Sequence, residues 1–337
     1  MENDTGCAPL RFGVLGAASV AWRRTLPAMK RCHTAMIAAV ASRDLAKAER
    51  FTRLFGGHPV TGYQALLDRH DVDAVYIPLP TGAHAEWAHR ALEAGKHVLV
   101  EKPLAGTEKE VVELAGRARD LGLRLHENRM FQHHSQHRAV GELVTGGEIG
   151  GLRVLSSSMA IPPLRPEDVR YQPKLGGGAL LDVGYYPIHA ALMYLSGPVE
   201  LLGARLVVLR TSEVDVRGHV LLGAADGVTA QLTFGFDHAY RSSYELWGDH
   251  GRIELDRAFT PPPEHTPCVR IHQQDRELRL TLPADDQFRN SINDFVSAVR
   301  RDAPDTEHIH PAIQAAALMD AIRHRADVSW IGEQEIR

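Results

Sequence analysis

The chain is short of lysine, cysteine and aromatic residues, and it has no long apolar run. Six lysines stand against thirty-two arginines. The three cysteines, Cys7, Cys32 and Cys268, are odd in number and far apart. That excludes a disulfide framework and a thiolate zinc site, and it fits a reducing cytoplasm. No apolar stretch approaches the roughly 20 residues a membrane helix needs, so no membrane partner is expected. The first ten residues have neither a basic start nor an apolar centre, and no signal peptide is expected there. A basic excess is also missing. The net charge of −4 argues against a nucleic-acid partner, which would require a basic face. What remains is ordinary for a soluble enzyme. With 44% hydrophobic and 24% charged residues over 337 positions, the chain can fill two domains with full cores.

Histidine, by contrast, is abundant. His133, His134 and His137 cluster, but no Glu or Asp stands at ligand spacing among them. The cluster reads as a polar helix start near a cleft, and no metal site is expected.

The first third alternates strand and helix. Apolar runs at 10–15, 35–41, 73–79 and 97–100 and a last short run at 124–126 read as strands. Between them, helices are expected up to Met29 and over 44–55, 83–94 and 107–121. Such alternation implies right-handed crossovers and a doubly wound parallel sheet of the nucleotide-binding type. Residues 1–130 are assigned to this domain.

The turn after the first strand is an altered phosphate-binding fingerprint. The pattern Gly-x-Gly-x-x-Gly/Ala becomes Gly16-Ala17-Ala18-Ser19-Val20-Ala21. Gly16 supplies the tight turn, and Ala21 allows close helix packing. Ala18 stands where a glycine normally lets the backbone approach a diphosphate. The N–H groups of the following helix start would serve the phosphate oxygens. At the end of the second strand, NAD-binding folds carry an acid for the ribose 2′-hydroxyl. Here Ser42 and Arg43 stand there, with Lys47 one helical turn beyond. Arginine suits a 2′-phosphate and an acid would repel it, so NADP(H) is the expected cofactor.

The tripeptide Glu101-Lys102-Pro103 directly follows the apolar run 97–100. That puts a lysine in the crevice beyond the strand ends, where open α/β sheets bind ligands. Pro103 holds Lys102 extended, and an X-Pro bond here is a candidate for the cis form. In a chain that prefers arginine so strongly, a lysine here points to a group that can lose a proton.

After about residue 131 the alternation stops, and 131–337 is assigned to a second, α+β domain. A helix near 136–145 precedes a strand at 152–161. A segment from Arg170 runs into Gly176-Gly177-Gly178 and a helix over 179–195. Strands at 200–209, 214–224, 228–236, 240–247 and 252–255 follow in series, with turn signals between them, and mark an antiparallel sheet. Helices at 288–300 and 312–325 close the chain. On the helix at 179–195, Asp182, Tyr186 and His189 are spaced to share one face.

Three motifs in order, the Gly16 turn, Glu101-Lys102-Pro103 and Arg170 with the run from Gly176 to Tyr186, resemble the glucose–fructose oxidoreductase / inositol dehydrogenase (Gfo/Idh/MocA) family over nearly the whole chain. The resemblance implies a Rossmann domain followed by an open, largely antiparallel sheet whose face covers the nicotinamide, and a homo-oligomer formed through that sheet. It implies that Lys102 works beside the substrate oxygen and that Arg170, Asp182 and Glu101 border the cofactor. Leu79, Pro80 and His84 are expected at the nicotinamide end and Tyr63 at its flank. The stretch from Ala21 to Ala28, with Trp22, Arg23 and Arg24, together with Tyr186 in place of the histidine of many members, resembles the sugar 3-ketoreductases that build TDP-linked deoxysugars for antibiotics.

That resemblance implies reduction of a ketone. Lys102 would stabilise the charge on its oxygen, and Lys102 or Tyr186 would supply the proton. Trp22 and Arg23 are placed at the cofactor. Arg24, His189 and Tyr240 are placed at the substrate, a nucleotide sugar. Two rivals stay open: a dehydrogenase of a free sugar or inositol, and a non-catalytic cofactor sensor.

Overall fold

A computed structural model of the protein describes residues 8–301, 306–332 and 334; Cys7 lies outside them. By its internal contacts the chain divides into two units. Residues 1–133 with 286–312 form one, and 134–285 with 313–337 form the other.

The first unit is built on a six-stranded sheet of β1 (Leu10–Leu15), β2 (Ala35–Ser42), β3 (His58–Thr61), β4 (Ala74–Ile77), β5 (His97–Val100) and β6 (Leu125–Glu127), in the order β3-β2-β1-β4-β5-β6. Every pairing is parallel. Helices cover such a sheet on both faces, so its inner strands read as continuous apolar runs. Phe12, Val14, Val40, Tyr76, Ile77, Val98 and Val100 are all fully buried. Each large apolar side chain buried this way contributes about 1.5–3 kcal/mol.

The crossover helices have sequence-encoded starts. Asp44 accepts from the Ala46 N–H at 3.0 Å and caps Leu45–Phe55. Thr107 and Glu110 form a reciprocal capping box at Glu108–Asp120. Neighbours β2 and β4 of β1 are reached by crossovers in opposite directions, so the crevice for a ligand opens beyond the ends of β1 and β4.

Two features of this unit depart from the sequence expectation. Strand β3 and the short helix Tyr63–Leu67 after it were not expected, because the polar, Pro59-bearing segment carries no apolar signal. The domain boundary at 130/131 also gives way to a returning element. Helix Gln287–Arg300 packs on this unit, with the Phe295 ring 5.7 Å from Phe12 and 5.1 Å from His126. Ser291 Oγ donates to Asn128 Oδ1 at 2.9 Å.

The second unit is a nine-stranded mixed sheet. Its strands are β7 (Leu152–Ala160), β8 (Val199–Leu209), β9 (Asp215–Ala224), β10 (Thr229–Gly235), β11 (Arg241–Gly248), β12 (Arg252–Asp256), β13 (Cys268–Gln273), β14 (Arg276–Thr281) and β15 (Asp327–Ile331). The order is β14-β13-β12-β11-β7-β10-β9-β8-β15. The pairs β7–β10 and β8–β15 are parallel and the others antiparallel. The strands expected at 200–209, 214–224, 228–236, 240–247 and 252–255 are present; β13, β14 and β15 come in addition.

One face of this sheet carries the helical segment 180–194, most of whose residues are buried. The other face is polar. In register across four strands lie Ser156, Glu245, Glu254 and Arg270, and Trp247 is 57% exposed on the same face. Among the described residues no helix is long and apolar enough to cross a membrane.

Candidate active site

The ends of β1, β2 and β4 enclose a cavity of about 380 Å³, lined by Gly16, Ala17, Ala18, Ser42, Arg43, Asp44, Lys47, Tyr63 and the segment Pro78-Leu79-Pro80. Gly16 has φ +121°, and a Cβ there would stand 2.7 Å from Leu79 Cδ2. Only glycine meets both conditions. Its N–H is held by the Ala41 carbonyl at 3.0 Å. Ala18 already carries the first helical turn, accepting from the Trp22 N–H at 3.1 Å. Ser19 is exposed and Val20 half-buried beside it.

At the other wall, Ser42 is buried and its Oγ accepts from the Asp44 N–H at 3.2 Å. Arg43 and Lys47, both exposed, line the cavity beside Asp44, whose Oδ1 caps the following helix. Two cations against one helix-capping carboxylate at this strand end fit a phosphorylated ribose. Trp22 sits edge-on to Phe51 and Phe55, with the Arg50 guanidinium 4.7 Å from its ring. It braces the first helix against its neighbour and is not part of the cavity lining. Arg23 and Arg24 are both exposed.

Lys102 follows β5 and is half-buried, with a cis peptide bond to Pro103. The residues around it are fixed by a buried polar network. Glu101 Oε1 accepts from the Tyr76 hydroxyl at 2.6 Å and from Asn128 Nδ2 at 2.9 Å. Tyr76 also meets Thr25 Oγ1 at 2.8 Å, and Glu127 Oε1 takes the Leu104 N–H at 2.7 Å. Burial pushes the Glu101 carboxyl above its ordinary pKa, against the pull of Tyr76, Asn128 and the nearby Lys102 charge.

His84 is buried. Its Nδ1 lies 2.8 Å from the Pro103 carbonyl and its Nε2 2.7 Å from the Leu79 carbonyl. Burial holds its pKa below the ordinary value, while the two carbonyls oppose that shift. A neutral ring donates to one of these carbonyls and lies against the other, between the Leu79 loop and the Lys102 loop. Tyr76, Asn128 and Glu127 were not expected from the sequence; a tyrosine inside the apolar run of β4 was the one available signal.

In the second unit, Asp168 and Asp182 flank the Arg170 guanidinium, and Asp182 forms the closer ion pair. The charge of Asp182 holds the Arg170 pKa above its ordinary value. Tyr186 is 5% exposed, edge-on to Tyr185 and stacked on Phe259 at 5.4 Å. His189 is wholly buried, its ring 4.2 Å from Tyr185. A π-helical turn at Leu180–Gly184 precedes the α-helix Tyr185–Tyr194 and interrupts the regular repeat on which the common face of Asp182, Tyr186 and His189 was expected. His189 lies among the buried residues of that α-helix. Tyr240 is 42% exposed, with the Arg257 guanidinium 5.3 Å over its ring.

One further cluster has metal-binding residue types. Donor atoms of His126, Asp294 and His308 lie within 4.8 Å of one another. The two imidazoles are stacked at 3.9 Å and 20°. A ring nitrogen's lone pair lies in the ring plane, so two rings stacked face to face do not converge on one ion.

Comparison with known proteins agrees with this geometry. The family model for the GFO/IDH/MocA oxidoreductase family, with an NAD-binding Rossmann fold, matches residues 10–129, and that for the GFO/IDH/MocA C-terminal domain matches 137–254. The chain is 49% identical to a dTDP-3,4-didehydro-2,6-dideoxy-alpha-D-glucose 3-reductase of Actinomadura kijaniata, covering 96% of this chain and 97% of that one. It is 50% identical to the enzyme of that name from Streptomyces antibioticus, covering 95% and 98%. The crystal structure of a 3-ketoreductase from Actinomadura kijaniata, in complex with NADP and TDP-benzene, superposes with a TM-score of 0.94 at 48% identity, covering 96% of this chain and 99% of that one.

Proposed function

The chain belongs to the GFO/IDH/MocA family of oxidoreductases, and on that premise we propose that it is an NADPH-dependent C-3 ketoreductase. Its substrate is a TDP-linked keto-deoxysugar of the 3,4-diketo-2,6-dideoxyglucose type, and its place is in deoxysugar assembly. The observation that carries this reading is identity of about one half, end to end, with reductases of that activity. The cavity beyond β2 supports the cofactor choice, because Arg43 and Lys47 face it and Asp44 is engaged in capping.

The cofactor supplies hydride to the C-3 carbon. The chain's part is the oxygen. As the C=O bond gives way to C–H and C–O⁻, the negative charge grows on that oxygen, and the Lys102 ammonium is the proposed stabiliser. One proton is then needed to complete the alcohol. Lys102 and the Tyr186 hydroxyl are the two proposed donors, and such a group is worth about 10²–10⁴-fold in rate. Tyr76 and Asn128 hold Glu101 on one side of Lys102 and Glu127 holds Leu104 on the other, which supports an ammonium aimed before substrate arrives. Arg170 and Asp182 are proposed at the cofactor. Arg23 is assigned to the cofactor diphosphate and Arg24 to that of the substrate, and Tyr240 is proposed to pack on the sugar or base.

We further propose a cytoplasmic homo-oligomer joined through the open face of the nine-stranded sheet, where Trp247 and Leu221 stand exposed among charged side chains. Light scattering of wild type and Trp247→Glu tests this, and a monomer in both removes it.

Steady-state assays with the TDP-linked ketone and the matching free ketone test the activity. A kcat/KM at least about tenfold higher for the nucleotide-linked substrate, a difference of 1.4 kcal/mol, supports the reading. Similar values for both, or oxidation of free sugars as the faster reaction, removes the nucleotide-sugar assignment.

A further inference from the structure

We infer that Asp215 is a positioning residue for this reaction, with a carboxylate that anchors the start of the helical segment bearing Asp182 and Tyr186. Asp215 opens β9, on the strand that also carries the fully buried Val216. Its Oδ2 accepts from the Leu180 N–H at 2.6 Å. Leu180 begins the π-helical turn, and Ala179 before it offers no side-chain cap. The first N–H groups of a helix have no partner within the helix. Here a residue from the neighbouring sheet supplies one, with the charge sign that the helix dipole favours.

The glycine loop is shaped around this carboxylate. Gly178 has φ +117°, and a Cβ on it would stand 2.3 Å from Asp215 Oδ1. The carboxylate therefore rests against bare backbone. The adjoining residue is fixed from the other side: a Cβ on Gly177 would meet the Arg170 carbonyl at 2.5 Å, and that carbonyl takes the Gly178 N–H at 2.9 Å. Arg170 in turn pairs with Asp182. At the far end of the π-helical turn, a Cβ on Gly184 would touch the Phe234 ring at 3.2 Å.

The turn is thus fixed at both ends by the sheet, by Asp215 at Leu180 and by Phe234 at Gly184. Asp182 lies between these anchors, and Tyr186 lies two residues beyond the second. A π-helical turn closes its own i→i+5 bonds but is far rarer than the α-helical ladder that follows it, so its placement leans on such anchors. Held this way on a strand rather than a loop, the Tyr186 hydroxyl keeps one position.

The inference rests on the reading of Tyr186 as a group serving the ketone oxygen, and the test separates the two. Asp215→Ala and the isosteric Asp215→Asn are compared with wild type, each with Tyr186 intact and with Tyr186→Phe. The readouts are kcat, KM for NADPH, and hydrogen exchange of amides 180–186. Because a displacement of ~1 Å costs about 10²-fold, Asp215→Ala should lower kcat by about ten- to a hundredfold while KM for NADPH stays within about twofold. Asp215→Asn should lose less. Exchange at 180–186 should quicken, and in the Tyr186→Phe background neither substitution should slow turnover much further.

Losses that multiply independently with Tyr186→Phe would overturn the inference, as would unchanged exchange at 180–186. Should Tyr186→Phe alone turn over at the wild-type rate, the Tyr186 reading fails. The exchange data then decide by themselves whether Asp215 anchors the helix. If the alanine variant does not fold, the asparagine variant carries the same comparison.

Discussion

Replacing Arg43 by alanine should weaken NADPH and leave NADH almost untouched. The residue stands at the end of β2 on the wall of the cofactor cavity, and Lys47 is the other cation there. A hydrogen bond to a charged partner is worth about 1.5–3 kcal/mol net. Arg43 is exposed, so water and salt screen it towards the lower end of that range, and Lys47 remains to hold part of the 2′-phosphate charge. A loss of about 1.5–2 kcal/mol follows, which is roughly a 10–30-fold rise in the NADPH dissociation constant.

NADH carries no 2′-phosphate, so its affinity should stay within about twofold. Lys47→Ala should show the same selectivity at smaller amplitude, and the double variant should bring the two cofactors close to parity. Raising the ionic strength should shrink the wild-type preference, because the pair is solvent-facing. Quenching or enhancement of the reduced nicotinamide fluorescence reads each constant directly. An equal loss for NADH and NADPH in Arg43→Ala, or no preference in the wild type, would show that the 2′-phosphate is not held here.

Lys102→Met should lower kcat by about 10²-fold or more with NADPH affinity little changed, since the ammonium acts on charge that develops only in the transition state; a fall confined to KM would place it in ground-state binding instead. Tyr76→Phe should cost about 1–3 kcal/mol in urea unfolding, because it strips a donor from the buried Glu101 carboxylate; an unchanged midpoint would mean that Asn128 and Lys102 suffice. Burial raises the Asp215 carboxyl from its ordinary 3.8 to about 6, so the folded state binds its proton more tightly than the unfolded chain. Its contribution to stability is therefore present below pH 3.8 and lost as the pH rises through 6. Asp215→Asn should remove that part of the slope between pH 4 and 7 in denaturant midpoints, and identical slopes in both proteins would refute it.

The parallel sheet was legible because its strands are buried on both faces and show as unbroken apolar runs between helix caps such as Asp44 and Thr107. Gly16 and the Glu101-Lys102-Pro103 motif were legible for a different reason: backbone geometry at a strand end leaves little choice of residue. What escaped the sequence lies where that local signal is absent. Strand β3 is polar and mostly exposed, so neither period nor apolarity marks it. Hairpin β13–β14 alternates arginine with apolar residues at the sheet edge and reads as a solvated segment.

The shared face of Asp182, Tyr186 and His189 rested on a regular 3.6-residue repeat, which the π-helical turn interrupts. Tyr76, Asn128 and Asp215 are single polar residues whose partners are remote in sequence, so no spacing rule reaches them. Their roles emerge only when the strands bring Glu101 and Leu180 to them.

The return of helix Gln287–Arg300 to the first unit has a consequence for biosynthesis. Phe12 and His126 find their aromatic partner in Phe295, and Asn128 its hydroxyl donor in Ser291. Residues 134–285 intervene, so the nucleotide-binding half is topologically interrupted by the other unit. As the chain leaves the ribosome, the first 133 residues emerge with these partners still unmade. Their core is completed only after roughly twice that length has been translated, a span of about ten seconds or more at ordinary elongation rates. During that interval the nascent half exposes an apolar seam to chaperones and to other chains, and a fragment cut after its last strand would keep that seam permanently.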